Sequence, residues 1–411
     1  MQRLRYVMIV FAAVIAGSVA LTLPAAAATA GVSPRLARAG AVTPSAGGSN
    51  DYLNGDSCPS STFCMAVGAF NLNGHSPGLS EMLSGGNWLA EAVPSPPRGA
   101  NIFANEVSCA SPVRCLFVGE HWAGTQGPAM NLAEAWNGTS WRTVTTSGPV
   151  GAAISGLDDV ACPNISFCMA VGFAGSASHY QDAAYRWNSV AGWRRITIPR
   201  PGHARKSVLN GLACFSSANC MAVGDYTNAT GRNLPFAAHW HNRHWTLLTT
   251  PAVRKQLLTT FQAIDCPTAT KCVAVGNTED DTAGKFFHAF AEVWRGGRWR
   301  VSTLRRPPSV MTSASCPAWN RCFASGYTFP PGATFAHPLI ETWNGRTWTT
   351  QRPEETPAPR SGASLQHVSC VTRTLCEAVG FSFAPSGSVS DQTLAEIWNG
   401  HRWIIQATPN P

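Results

Sequence analysis

Three observations predict an all-β chain folded as a seven-bladed β-propeller, with four strands and one disulfide in each blade. A paired-cysteine unit is written seven times, the copies start 50 to 54 residues apart, and a tryptophan hairpin closes six of them. The pairs are Cys58/Cys64, Cys109/Cys115, Cys162/Cys168, Cys214/Cys220, Cys266/Cys272, Cys316/Cys322 and Cys370/Cys376, and no cysteine lies outside the pattern. The repeat argues for one closed body across 51–411, with blades starting near 52, 103, 156, 208, 260, 310 and 364.

The N-terminus comes first in the chain. Arg3 and Arg5 precede the apolar run from Tyr6 to Leu23, and Ala28-Thr29-Ala30 offers a small-residue cleavage site. Residues 1–30 therefore read as a secretory signal peptide, with an uncleaved membrane anchor as the alternative. Residues 31–50, rich in Gly, Ala, Ser and Pro, read as a flexible linker. Export and an even cysteine count in fixed pairs point to disulfides within each repeat. The five residues between partners are more than the usual spacing in a structural zinc site.

Within a repeat the first strand ends at the first cysteine. The second strand carries Cys-x-Ala-Val-Gly, as in Cys168-Met169-Ala170-Val171-Gly172. The disulfide clamps the hairpin between them, and closing so small a ring contributes on the order of 2 kcal/mol. Seven such clamps are expected to stiffen the blades more than they close the ring. The third strand ends at one tryptophan and the fourth begins at the next: Trp136/Trp141, Trp187/Trp193, Trp240/Trp245, Trp294/Trp299, Trp343/Trp348 and Trp398/Trp403, with Leu83/Trp88 in the first repeat. Turn formers such as Asn137-Gly138 and Asn399-Gly400 separate each pair, a strong hairpin signal. Tryptophan in every blade reads as packing between blades. The first strand near Tyr52 and the last near Ile405 leave no blade to be completed from both termini, so blades 1 and 7 are expected to meet through side chains.

Two polar columns recur. Four positions before the first cysteine stand Asn54, Asn105, Asp158, Asn210, Gln262, Thr312 and Gln366. They read as local turn caps, the alternative being a ring at one mouth of the central channel. Two residues before the first tryptophan, or Leu83 in the first repeat, stand Glu81, Glu134, Glu292, Glu341 and Glu396, expected to be buried and paired within the blade.

With this period, four strands and a tryptophan hairpin, the region from Tyr52 to Ala407 resembles secreted seven-bladed propellers of the kelch and sialidase-like kind. The resemblance is one of architecture. A single glycine (Gly172, Gly224) stands where kelch repeats carry a pair, and the sialidase Asp-box is not found before Trp141 or its equivalents. No catalytic residue carries over from either family.

Composition narrows the function. The 30 basic residues exceed the 22 acidic ones for a formal charge of +8, but they are scattered, without the clustered run of a nucleic-acid groove. No cofactor or metal motif is present. Asp280-Asp281 lacks the spaced oxygen ligands of a calcium loop, and His239-Trp240-His241-Asn242-Arg243-His244 reads as a surface hairpin.

The loops between second and third strands differ most, and function sits on such loops. They and their flanks supply the candidate ligand-binding residues Trp122, Tyr180, Asp225, Tyr226 and Asp280, aromatics beside carboxylates that suit a sugar. The function expected is an exported, non-catalytic propeller that binds a glycan or protein outside the cell, monomeric and free of the membrane after signal cleavage. The alternative is a carbohydrate-active hydrolase or lyase using Glu120 and Asp225 at the channel mouth. The near-constant spacing of landmarks, without a long insertion to wall a pocket, favours binding.

Overall fold

A computed structural model describes residues 50–71, 75–94, 101–122, 127–146, 148, 151–251, 256–280, 287–302, 304, 308–354, 356, 362–383 and 391–410. The expected signal peptide and nearly all of the linker lie outside them. Among the described residues twenty-eight strands form seven four-stranded antiparallel blades, spanning 52–92, 101–143, 154–196, 206–248, 256–302, 309–351 and 362–406. A single parallel bridge, Asn233 to Leu258, joins blades 4 and 5. The innermost strands are Tyr52–Ser60, Asn101–Ser111, Ile154–Asn164, Lys206–Ser216, Gln256–Thr268, Ser309–Ala318 and Gly362–Thr372. Among the described residues no helix is long and apolar enough to cross a membrane.

All seven disulfides form within blades, as expected: Cys58–Cys64, Cys109–Cys115, Cys162–Cys168, Cys214–Cys220, Cys266–Cys272, Cys316–Cys322 and Cys370–Cys376. Each clamps the hairpin of the two inner strands. Their surroundings give the second sulfurs a further place, between blades. The second cysteines Cys64, Cys115, Cys168, Cys220, Cys272, Cys322 and Cys376 are all buried, and each belongs to an apolar cluster between two blades. The reason is their place on the second strand, which neighbouring blades cover on both faces. These sulfurs therefore fill the ring's core as well as stiffening the hairpin, and they present no surface to a ligand.

The tryptophans pair across the outer hairpin, Trp136 opposite Trp141 with ring centroids 5.5 Å apart and Trp240 opposite Trp245 at 5.7 Å. In blade 4 the turn Asn242-Arg243 takes positive φ at both residues, the geometry that Gly85-Gly86 and Gly296-Gly297 supply in blades 1 and 5. The histidine-rich stretch is therefore a hairpin tip, with His241 opposite His244.

The hydrophobic cores lie between blades. Seven apolar clusters fill the seven interfaces, each joining the second strand of one blade to the inner strand and tryptophan hairpin of the next. Met65 and Val67 of blade 1, for example, meet Val107, Trp136 and Trp141 of blade 2. Two tryptophan N–H groups reach back across these interfaces, Trp141 Nε1 to Ser80 Oγ at 3.1 Å and Trp348 Nε1 to Ser302 Oγ at 3.0 Å. The expected inter-blade role of tryptophan is what the structure shows.

The glutamate column follows from the same facing. Glu81, Glu134, Glu292, Glu341 and Glu396 are fully buried. Each stands opposite the alanine of Cys-x-Ala, such as Ala66 or Ala274, whose small side chain leaves room for it; in blade 2 Phe117 holds that position. Thr143 and Thr350 of the same blade donate to Glu134 and Glu341 at 2.9 Å, as expected. Glu81 and Glu396 differ: Glu81 accepts from Thr393 of blade 7 and Glu396 from the Glu354 backbone N–H, because this face of the third strand looks onto the neighbouring blade and linker.

Blades 7 and 1 close the ring without a shared strand among the described residues. Trp88 packs there against Val379 and Ala395, and its Nε1 donates to Gln406 Oε1 at 2.8 Å. Trp398 and Trp403 pack on Phe323 and so belong to the interface of blades 6 and 7.

Candidate binding site in the central channel

The seven inner strands surround a cavity of about 400 Å³, within the usual range for a small-ligand site. Its wall is set by a β-bulge repeated in every blade. The ladder to the second strand skips one residue each time, from Leu53 to Gly55, from Ala104 to Glu106, and so on to Leu365 and His367. The skipped residues are Asn54, Asn105, Asp158, Asn210, Gln262, Thr312 and Gln366, and all seven line the cavity.

Reading this column as local turn caps is therefore corrected. Unpaired bulge residues turn their side chains off the strand, and here they bond to the next blade. Asn54, Asn105 and Asn210 Nδ2 each donate at 2.8 Å to a neighbouring inner-strand carbonyl, those of Ala104, Leu157 and Phe261. Thr312 Oγ1 donates to the Leu365 carbonyl at 2.9 Å. The bulge also explains the glycine of Ala-Val-Gly. A Cβ on Gly172 or Gly224 would overlap the carbonyl oxygen of Gly156 or Val208, which the bulge pushes against the second strand.

A second inter-blade ring uses the residue before the first cysteine. Ser57, Ser108, Ser315 and Ser369 Oγ each accept, at 3.0 Å, the backbone N–H of the next blade's first cysteine, Ser369 reaching Cys58 across the closing interface. Asp265 does the same for Cys316 at 2.6 Å. Where alanine (Ala161) stands instead, Asp159 accepts from the Leu212 N–H at 2.6 Å.

Between the two rings lies a charged cluster. His367 Nδ1 lies 2.8 Å from Asp56 Oδ1, and its Nε2 lies 3.1 Å from Glu106 Oε2. One imidazole thus ties blade 7 to blades 1 and 2. Gly55 makes the reach possible, since a Cβ there would strike the Glu106 side chain at 2.7 Å. The His367 side chain keeps 21% of its surface open to the channel, whereas Asp56 is enclosed. Burial works against a charged imidazole, but Glu106, Asp56 and Asp159 together raise His367 to about 9. Burial likewise raises Glu106 to about 8 and Asp265 to about 6.

One mouth is aromatic on one side only. Tyr52, Phe103, Tyr327, Phe381 and Phe383, from blades 1, 2, 6 and 7, line it, with Tyr52 6.0 Å from Phe103 and 6.4 Å from Phe381. In blades 3 to 5 the positions equivalent to Tyr52 and Phe103 are Gly156, Val208 and Thr260. Burial raises the hydroxyls of Tyr52 and Tyr327 to about 12, so both remain neutral donors.

The candidates from sequence lie on this same face but outside the cavity wall. Trp122 is half-buried at the end of the second strand of blade 2, opposite Asn101. Tyr180 of blade 3 is half-buried, packs on Phe173 at 5.5 Å, and carries the Lys206 ammonium 5.1 Å over its ring. Tyr226 packs on Phe236. Asp225 is 4% exposed and accepts from Asn210 and Asn233 Nδ2, both at 3.2 Å. Glu120 is half-buried against Gly156 of blade 3, so blade 3 stands between it and Asp225. Asp280 ends a strand in blade 5, and its side chain lies outside the described residues. The channel residues Tyr52, Phe103, Asp56, Glu106 and His367 escaped the sequence reading.

Known structures share this architecture. The β-propeller domain of the Trilobed protease from Pyrococcus furiosus matches with a TM-score of 0.54 at 7% identity, over 88% of this chain and 100% of that one. The chain is a seven-bladed β-propeller. The Pyrococcus horikoshii acylaminoacyl peptidase matches at 0.50 and 9% identity, over 86% of this propeller and 52% of that chain. The six-bladed Aleuria aurantia lectin is similar at 0.42 and 10%, over 88% and 96%. No family model and no curated protein matches the sequence. At these identities the likeness is one of fold.

Proposed function

We propose that this propeller is an exported, non-catalytic binding protein that recognises a glycan outside the cell at the aromatic mouth of its central channel. The observation that carries the reading is the mouth itself. Half-buried rings of Tyr52, Phe103, Tyr327 and Phe381 stand above a ring of five amides, one hydroxyl and the Asp158 carboxyl, in a cavity the size of a small ligand. Flat apolar faces for stacking beside fixed polar groups are what a sugar ring needs. Trp122, Tyr180 and Tyr226 on the same face would extend the surface outward.

Seven disulfides support an oxidising location, in keeping with export directed by residues 1–30. The burial of Asp225 beneath two amides, with blade 3 between it and Glu120, supports binding over catalysis by that pair. One observation favours the hydrolase or lyase reading: Glu106 lines the cavity, and burial pushes its carboxyl above the usual carboxylate range, against the pull of His367, as a general acid needs. A glycan-array screen run beside a reducing-sugar release assay separates the two. Specific array binding without sugar release is the expected result, and release that depends on Glu106 would replace it with the enzymatic reading.

A further inference from the structure

The seven interfaces are built alike except one. In six of them the residue after the second cysteine of one blade packs against the residue two before the first cysteine of the next. Met65 meets Val107, Leu116 meets Val160, Met169 meets Leu212, and three further apolar pairs continue round the ring. At the interface of blades 7 and 1 the same two positions hold Glu377 and Asp56. They are 3% and 1% exposed, and Glu377 Oε2 has no hydrogen-bond partner. A pair of acids therefore stands where every other interface has a pair of apolar side chains.

This is also the one interface that the chain does not cross between consecutive blades. Blades 1 to 7 follow one another in sequence, and each is complete from its own stretch among the described residues. Opening between blades 7 and 1 breaks side-chain contacts and a few hydrogen bonds, with no strand to withdraw.

We propose that the interface of blades 7 and 1 is an acid-closed latch, tight while Glu377 keeps its proton and loosened more than any other interface as the pH rises. Several charged groups face it. His367 of blade 7 sits on Asp56, Glu106 of blade 2 holds the other face of the imidazole, and Asp159 and Asp265 lie further round the channel. Outward, Glu81 accepts from Thr393 and feels Asp51.

Burial, with the Asp56 charge added, raises Glu377 to about 9 from 4.5. Burial raises Asp56 as well, against the pull of His367. The carboxylates carry His367 upward in spite of its burial. Each group holds its proton in the closed ring to a higher pH than in an open chain. The latch is then at full strength below about pH 4.5 and weakens as the pH climbs toward 9.

Hydrogen–deuterium exchange on the full chain, corrected for the intrinsic pH dependence, tests this without any substitution. From pH 5.5 to 8.5 the amides of 52–60 and 362–383 should lose at least about tenfold more protection than those of 206–227, one linked proton contributing about a decade for each pH unit over which it is released. Glu377→Gln, which keeps the shape of the protonated acid, should hold protection at pH 8.5, and Glu377→Met should do so if it folds. Protection that falls equally in all blades, or a Glu377→Gln protein that loosens like the wild type, would overturn the latch. The test is independent of what the channel binds.

Discussion

Replacing Trp136 with alanine should weaken the ring at a single interface. Trp136 is 2% exposed, lies in the cluster between blades 1 and 2, stacks 5.5 Å from Trp141, and donates Nε1 to the Pro112 carbonyl at 3.2 Å. Truncating a buried tryptophan costs about 3 to 5 kcal/mol, and the orphaned carbonyl adds about 1 kcal/mol. Unfolding entropy near 2.1 cal/mol/K per residue over about 360 residues makes 1 kcal/mol worth about 1.3 °C. The melting temperature should fall by about 5 to 8 °C, read by circular dichroism or differential scanning fluorimetry. Trp122→Ala removes a half-buried ring at a strand end and should move it by less than about 1 °C. Equal melting temperatures for Trp136→Ala and the wild type would refute the placement of the cores between blades.

Three further outcomes follow from the geometry. Gly224→Ala sets a Cβ against the Val208 carbonyl and should cost about 1 to 3 kcal/mol or more in urea unfolding, whereas Gly202→Ala, with open space around it, should cost less than about 1 kcal/mol. Burial lifts Glu134 to about 7 and Glu292 and Glu396 to about 8. The folded state therefore keeps protons that the unfolded chain gives up near pH 4.5, and thermal stability should decline from about pH 4.5 to 8; a rise over that window would contradict the burial of this column. Peptide mapping without reduction should recover only pairs such as Cys58–Cys64 within a repeat, and a single cross-repeat pair would break the assignment of one clamp to each blade.

The fold was legible because its determinants are repeated. Cysteine pairs, the Ala-Val-Gly run and the tryptophan hairpin each do one packing task in blade after blade, and repetition lifts them above the background of the sequence. The candidate site was less legible because it is made of exceptions. Asp56 stands in a column that is apolar in the other six blades, and Glu106 and His367 share with Asp159 a column that is otherwise Gly, Ala or Ser, so they emerge only when each column is scanned for its odd members. Tyr52 and Phe103 share a column with Gly156, Val208 and Thr260, which has no common chemistry.

Direction was the other obstacle. The bulge at Asn54 and its six equivalents adds one residue to each inner strand, which shifts the alternation of faces beyond it. A column that sequence reads as a turn cap thereby becomes the channel wall. Asp225, which follows the blade glycine, points inward to Asn210 for a related reason, the bulge residue being its hydrogen-bond partner. The second cysteines show the same limit: spacing gives the partner of Cys115 or Cys322, but only the stacking of blades shows both to be buried between them.

The central claim is that recognition takes place at the aromatic mouth of the channel. Isothermal titration of the strongest array ligand against the wild type, Phe103→Ala and Leu247→Ala tests it most directly. Phe103 lines the cavity beside Tyr52, whereas Leu247 is exposed on an outer strand. A stacking ring contributes on the order of 1 kcal/mol beyond its buried area, so Phe103→Ala should weaken binding at least about fivefold while Leu247→Ala binds as the wild type does. Full affinity in Phe103→Ala, or an equal loss in both variants, would contradict the claim.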